Sequence, residues 1–234
     1  IKKKELINEL SLKNKLTSSK EEKIKTINSS KKEKQELIKS LGKSEKLFKR
    51  KIQEKRKQNK ELEDKIRKII EEEIRKAKAR HNEKDYALTP ESLILSEEFV
   101  SNKGNLPWPL SKGVIVQYYG KQTHPVFPGV QTFNNGIDIA TDKNTTVRTV
   151  FDGVVSRIFF IKGSGKAVLI NHGEYFSVYS GLEDVYVKTG DKVLSKENIG
   201  TVIFQENEEK TELHFEIWKG YEKQDPSTWL FNAY

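Results

Sequence analysis

The residues able to do chemistry are few and widely spaced. The chain has four histidines and no cysteine, so it holds no disulfide framework and no cysteine-based nucleophile or zinc site. Asp138 stands in the apolar run Ile137-Asp138-Ile139-Ala140, preceded by Phe133-Asn134-Asn135-Gly136. A carboxylate alternating out of an apolar strand is a common setting for a metal ligand. A second ligand would then be expected four residues earlier, where the chain has Asn134, and a neutral amide is a poor zinc donor. His214 alternates out of another apolar strand, with Glu212 and Glu216 on either side. The other histidines read as structural or solvated: His81 on a basic helix, His124 in a proline-containing loop, and His172 in a turn before glycine.

The elements that must position these groups follow from periodicity. From residue 110 onward the apolar pattern has period two. Strands are expected over 114–119, 154–161, 166–171, 175–179 and 213–217, with Gly-rich turns such as Lys162-Gly163-Ser164-Gly165 between them. This predicts an antiparallel all-β domain over 106–234, large enough for a real core.

Residues 1–84 are different. They contain one Gly and no Pro, and a 3-4 apolar spacing runs from Ile24 through Ile27, Ile38, Leu41, Phe48, Ile52, Leu62, Ile66 and Ile69. The spacing predicts one long helix and a coiled coil, with an imperfect seam at Lys31, Lys34 and Glu45. Such a seam needs a partner helix, either a segment outside this chain or another chain.

Residues 85–105 form the linker. Thr89 followed by Pro90 is a helix-start signal, and Leu93, Ile94, Leu95, Phe99 and Val100 follow before Gly104 stops the helix. A helix this apolar must dock on something.

Charge divides the chain in the same place. Residues 1–84 carry 29 Lys/Arg and 15 Asp/Glu, against 14 and 19 in the remainder. A basic arm can bind nucleic acid, but this one has a single aromatic residue, Phe48, and no base-reading motif, so no nucleic-acid partner is expected. The chain begins at Ile1 and has no Met, which reads as a processed or trimmed fragment. No apolar run is long enough to span a bilayer.

The order of pieces in the β half resembles the LytM domains, the lysostaphin-like zinc peptidases that cut peptidoglycan cross-links. The pieces are "GIDIA", "TVRTVFDGVVSRI", "VLINHGEYFSVYSGL", "VYVKTGDKV", "NIGTV", "ELHFEIW" and "DPSTWL". In active members the first piece supplies His and Asp ligands as His-x-Gly-x-Asp. The third supplies a catalytic His as Tyr-x-His-Leu, and the sixth a catalytic and a ligand His as His-Leu-His. Three protein ligands leave an open zinc position for the water that the metal acidifies. Carried over residue by residue, the first ligand is Asn134, Asp138 is kept, the two catalytic histidines are Gly181 and Glu212, and the ligand His214 remains. The resemblance therefore implies a degenerate, non-catalytic domain with no cofactor. Glu212 stays open as a replacement ligand or base, and zinc-dependent endopeptidase activity and a wall-binding structural role stay open as alternatives.

A helical arm joined to such a domain resembles the murein hydrolase activators of the EnvC type, on the pieces "LSEEFVSNKGNLPWP" and "NNGIDI". The resemblance implies a periplasmic protein on the outer face of the cytoplasmic membrane. It implies binding to an N-acetylmuramoyl-L-alanine amidase through the vacant cleft, control by an FtsEX-like ABC-transporter complex acting on the coiled coil, and contact with peptidoglycan. Expected groove residues are Tyr118, Tyr119, Arg148 and Tyr179, beside Asn134, Asp138, Gly181, Glu212 and His214. The expected restraint is the linker helix, with Leu93, Ile94 and Phe99 in the cleft. A bulky residue at Gly181 is expected to block the groove and spare the fold.

Overall fold

The computed structural model describes residues 2–81, 89–123, 131–161, 163–206 and 209–233. The chain divides into two compact units, Ile1–Glu54 and Lys55–Tyr234. The division falls inside one long helix, α1 (Lys2–His81). In the first unit the described apolar side chains Leu10, Ile24, Ile27, Leu37, Ile38 and Leu41 are exposed.

The second unit starts with the last third of α1. Next comes α2 (Pro90–Ser101), which begins where the sequence signals it: the Thr89 hydroxyl accepts from Ser92 N at 3.1 Å and Pro90 takes the first helical position. The strands follow as β1 (Val114–Gln117), β2 (Gly120–Thr123), β3 (Gln131–Asn134), β4 (Ile137–Ala140) and β5 (Thr146–Arg148). After these come β6 (Gly153–Ile161), β7 (Gly165–Asn171), β8 (Tyr175–Val185) and β9 (Lys192–Val193). The last are β10 (Asn198–Val202), β11 (Phe204–Gln205), β12 (Lys210–Lys219) and β13 (Glu222–Gln224). His124 lies outside the described residues, as does the side chain of His81.

The main sheet has the order β1-β4-β12-β8-β7-β6-β9, its neighbours all antiparallel, and β2 and β3 form a separate hairpin. This is the antiparallel β domain expected from the period-two pattern. Alternation sorts side chains onto two faces. On one face Ile137, Ile139, Tyr179, Leu213, Phe215 and Ile217 enter a core shared with Phe99, Val150, Tyr175 and Trp229. On the other face Leu169, Phe176, Val178 and Trp218 pack against Leu62, Ile66 and Ile70 of α1.

That second core changes what the seam in the last third of α1 is for. Ile66 and Ile70 are fully buried and Leu62 nearly so, all against the chain's own sheet. They repeat every four residues, so they form one ridge along the helix. Three ion pairs involving α1 and the sheet or its own turns flank the ridge: Glu63–Lys223 at 2.7 Å, Glu72–Arg157 at 2.9 Å and Glu73–Lys76 at 2.9 Å. Arg56 also donates to the Gln131 carbonyl.

The linker helix packs elsewhere. Phe99 stacks on His172 (ring centroids 4.9 Å apart) and Tyr175 (5.1 Å) and lies close to Phe151 and Trp229. Ser96 accepts from Glu174 N at 2.8 Å. A Cβ on Gly173, whose φ is +92°, would lie 2.1 Å from Ser96 Oγ, so the helix meets the β7–β8 turn as closely as glycine permits.

Candidate functional site

The residues expected to line a site meet where β4, β12 and β8 adjoin. Asp138 and His214 face each other across the β4–β12 ladder, and His214 pairs with Ser180 across β12–β8. Period two along β12 puts His214, Glu216 and Trp218 on the face opposite Phe215 and Ile217. A chain of hydrogen bonds runs through this row. The Trp218 indole N–H donates to Glu216 at 2.7 Å, His214 Nε2 donates to the other Glu216 oxygen at 2.9 Å, and His214 Nδ1 donates to Asp138 Oδ1 at 2.6 Å. The Asn134 amide donates to Asp138 Oδ2 at 3.3 Å and its oxygen faces Gly136 N at 3.5 Å.

Electrostatics follow from that chain. Burial alone would lower the His214 pKa, but the Asp138 charge, its hydrogen bond and then Glu216 outweigh burial and push it up to about 10. His214 is an imidazolium between two carboxylates. Glu216, 1% exposed, is the second carboxylate on His214, a role that its position beside His214 in the chain does not by itself assign. Its signal was the same alternation that singled out His214.

One wall beside this row is the β2–β3 hairpin. Tyr119 and Phe133 meet edge to face at 5.9 Å, and Tyr118 and Phe133 are each 48% exposed. Burial, then the Asp225 and Glu216 charges, raise the Tyr119 pKa. Tyr118 and Tyr119 lie between β1 and β2, and Phe133 precedes Asn134 on β3.

Four expectations are corrected. Tyr179 does not line the groove. It is fully buried on the opposite face, where its hydroxyl accepts from Val150 N at 2.9 Å and lies 3.2 Å from Ser177 Oγ, and burial raises its pKa. Arg148 is occupied in holding the chain before β1, donating to the carbonyls of Trp108 at 2.9 Å and Leu110 at 3.4 Å.

The linker helix does not fill the cleft either. Phe99 sits in the core at the Tyr175 end of β8, five residues from Ser180, and Leu93 and Ile94 are exposed. The element on the same sheet face as His214 is α1. Finally, Gly181 is no passive gap. Its φ is +88° and a Cβ there would lie 2.8 Å from the Glu212 carbonyl, so a side chain at this position disturbs the backbone.

His172 is structural, as expected of a turn histidine. The Asp152 carbonyl can only accept, so Nδ1 donates to it at 2.6 Å, and Nε2 accepts from the Ser177 hydroxyl at 2.7 Å. Burial lowers its pKa to about 4, against an opposing pull from Asp152.

Residues 132–226 match the profile of peptidase family M23. The β domain is an M23, LytM-like domain. The chain is 31% identical over 86 residues to an uncharacterized metalloprotease of Buchnera aphidicola subsp. Baizongia pistaciae (strain Bp), covering 36% of this chain and 23% of that one. It is 26% identical over 129 residues to the murein hydrolase activator EnvC of Escherichia coli (strain K12), covering 55% of this chain and 29% of that one. The chain thus spans less than a third of the length of these relatives. Among solved structures, a mutant catalytic domain of the prophage-encoded M23 protein EnpA from Enterococcus faecalis is 25% identical. It aligns with 53% of this chain and 96% of that one at a TM-score of 0.44.

M23 peptidases are zinc enzymes, and the residues at the matching positions of this M23 domain do not fit the ion. A histidine ligates through a lone pair, and both His214 ring nitrogens face carboxylate oxygens, at 2.6 and 2.9 Å. The Asn134 amide turns its N–H toward Asp138 rather than its oxygen toward an ion. Glu212 is paired with Lys210 at 2.9 Å.

Proposed function

We propose that this protein is a non-catalytic activator of peptidoglycan amidases in cell division and daughter-cell separation. Its M23 domain binds the amidase through the vacant cleft. The observation that carries the reading is the pairing of His214 with both Asp138 and Glu216, at a site where Asn134, Gly181 and Glu212 replace the groups an M23 peptidase uses. Those polar groups satisfy one another, and exposed aromatics lie nearby in the chain, Tyr118 between β1 and β2 and Phe133 just before Asn134. Aromatic side chains of this kind dominate protein–protein contacts. The likeness to the Escherichia coli murein hydrolase activator supports the same reading.

The rest of the reading concerns location and control. The protein works in the periplasm, on the outer face of the cytoplasmic membrane and near peptidoglycan. The basic first unit, with its exposed apolar stripe, acts as a coiled coil coupled to an FtsEX-like membrane complex. No helix among the described residues is long and apolar enough to cross a membrane.

Purified N-acetylmuramoyl-L-alanine amidases, offered with and without this protein on peptidoglycan, test the proposal. Amidase stimulation that is lost in Tyr118→Ala/Phe133→Ala supports it, and retention on purified wall alone, with no amidase response, defeats it. A second reading, a zinc endopeptidase, is favoured by the likeness to the Buchnera metalloprotease. Stoichiometric zinc in the purified protein, with cleavage of peptidoglycan cross-links, would establish that reading instead.

A further inference from the structure

A cavity of about 420 Å³ lies where the end of α1, the start of α2 and strands β6 and β7 converge. It is separate from the vacant site, because β8 and β7 stand between β12 and β6 in the sheet. Strand β6 carries a bulge here. Val155 pairs with Ile170 and Arg157 with Leu169, so Ser156 is an extra residue on its strand. The Val155 backbone turns to the loop before β9, donating to Asp191 O at 2.9 Å and accepting from Gly190 N at 2.8 Å. Both Ser156 and Arg157 then enter the lining of the cavity.

Three donors in that lining have no acceptor among the described residues. Ser156 is only 8% exposed, yet its hydroxyl has no hydrogen-bond partner. Arg157 gives Nη2 to Glu72 at 2.9 Å, while its Nε–H is withdrawn from water and unpaired. Asn171 uses Oδ1 to accept from Gly173 N at 2.7 Å, and its side-chain N–H groups are unused. Native proteins leave few such donors unpaired, so the set calls for an acceptor from outside the chain. A carboxylate suits the free edge of a guanidinium, where Nε and a terminal nitrogen donate in parallel. The charged side chains of the lining are Lys76, Arg157 and Glu73, and Lys76 already holds Glu73 at 2.9 Å.

We propose that this cavity binds a short peptide by its C-terminal carboxylate. Arg157 Nε and the Ser156 hydroxyl take the carboxylate, and the Asn171 side chain takes the peptide amide. Ile74, Val154 and Phe176 supply an apolar surface for small side chains. The volume lies in the range of sites for small organic molecules rather than for a bare inorganic anion. The site uses none of the groups around Asp138 and His214, so it is independent of the amidase reading.

The probe is N-acetyl-alanyl-alanine, in its L,L and D,D forms, titrated into the whole chain by calorimetry and NMR. Saturable binding is expected, with the shifted backbone amides falling in 154–157, 171–173 and 189–190. Arg157→Lys keeps a cation for Glu72 and loses the Nε–H edge, so it should weaken binding roughly tenfold. Ser156→Ala should weaken it by a similar factor, and a methylamide in place of the ligand carboxylate should abolish it. Preference for the L,L form points to a protein C-terminus and preference for the D,D form to a wall peptide, and either supports the site.

Absence of saturable binding overturns the proposal, as do shifts confined to the surroundings of His214. Equal affinity for the methylamide overturns it too, and so does unchanged affinity in both variants. Acetate that binds as tightly as the peptide would show an adventitious anion only, and would also overturn it. If either variant fails to melt cooperatively, the methylamide comparison and the pattern of shifted amides in the unaltered chain decide.

Discussion

Asp138 Oδ1 lies 2.6 Å from His214 Nδ1, across neighbouring strands β4 and β12. The contact is an ion pair because Glu216 takes the other ring nitrogen at 2.9 Å, and together they push the His214 pKa from 6.5 up to about 10. A histidine with a raised pKa adds stability that is fully present below about pH 6.5 and lost as pH rises through about 10. Stability should therefore fall between pH 7 and 10 more steeply in the unaltered protein than in His214→Gln. Asp138→Asn should cost about 1–3 kcal/mol near neutral pH by leaving the imidazolium short of a partner. Urea unfolding at pH 6, 8 and 10 measures both, and a His214 ring that titrates near 6.5 by NMR would contradict them.

His172 should behave in the opposite sense. Its pKa is lowered to about 4 in the folded protein and is 6.5 in the free side chain, so the unfolded chain takes up the proton first. Its contribution is intact above pH 6.5 and is lost as pH falls through about 4, roughly 3 kcal/mol in all at about 1.4 kcal/mol per pKa unit. Stability measured by urea unfolding between pH 7 and 4 should drop less steeply in His172→Asn. Parallel pH profiles for the two proteins would refute the assignment.

Gly181→Ala should destabilise the fold by about 1–3 kcal/mol. Its φ of +88° is strained for any L side chain, and the added Cβ would meet the Glu212 carbonyl at 2.8 Å. Thermal melting reads this directly. An unchanged midpoint would mean that the β8 backbone at this position relaxes without cost.

The linker helix supplies a contrast within one element. Phe99 is fully buried among His172, Tyr175 and Trp229, so Phe99→Ala should cost about 3–5 kcal/mol. Leu93 and Ile94 are 47% and 56% exposed, and alanine at either should stay within about 0.5 kcal/mol. Equal losses at all three positions would show that α2 has a second packed face.

How much of this was legible in advance depends on range. The strand alternation that places His214, Glu216 and Trp218 on one face of β12 is local, and so is the Thr89-Pro90 helix start. Both can be read along the chain, because backbone geometry sets the period and the cap. Likewise Asn134, Gly181 and Glu212 are visible as residue types without any coordinates. The assignments that changed all concern which surface meets which. Tyr179 looks like an interface aromatic until the β8 register turns it to the Val150 side, and Arg148 looks free until the Trp108 carbonyl occupies it.

By itself, then, the sequence determined the antiparallel β domain, the long helix, and the residue types Asn134, Gly181 and Glu212. Tertiary structure decided that Ile66 and Ile70 are covered by the chain's own sheet. It also put α1, with α2 on the opposite side, over the face that carries His214, and it closed His214 between Asp138 and Glu216. The physical reason is that an apolar helical ridge specifies only that it must be buried. Its partner is selected by the shape and charge of a surface assembled from residues 157, 169, 176, 178, 218 and 223, about a hundred or more positions further along the chain.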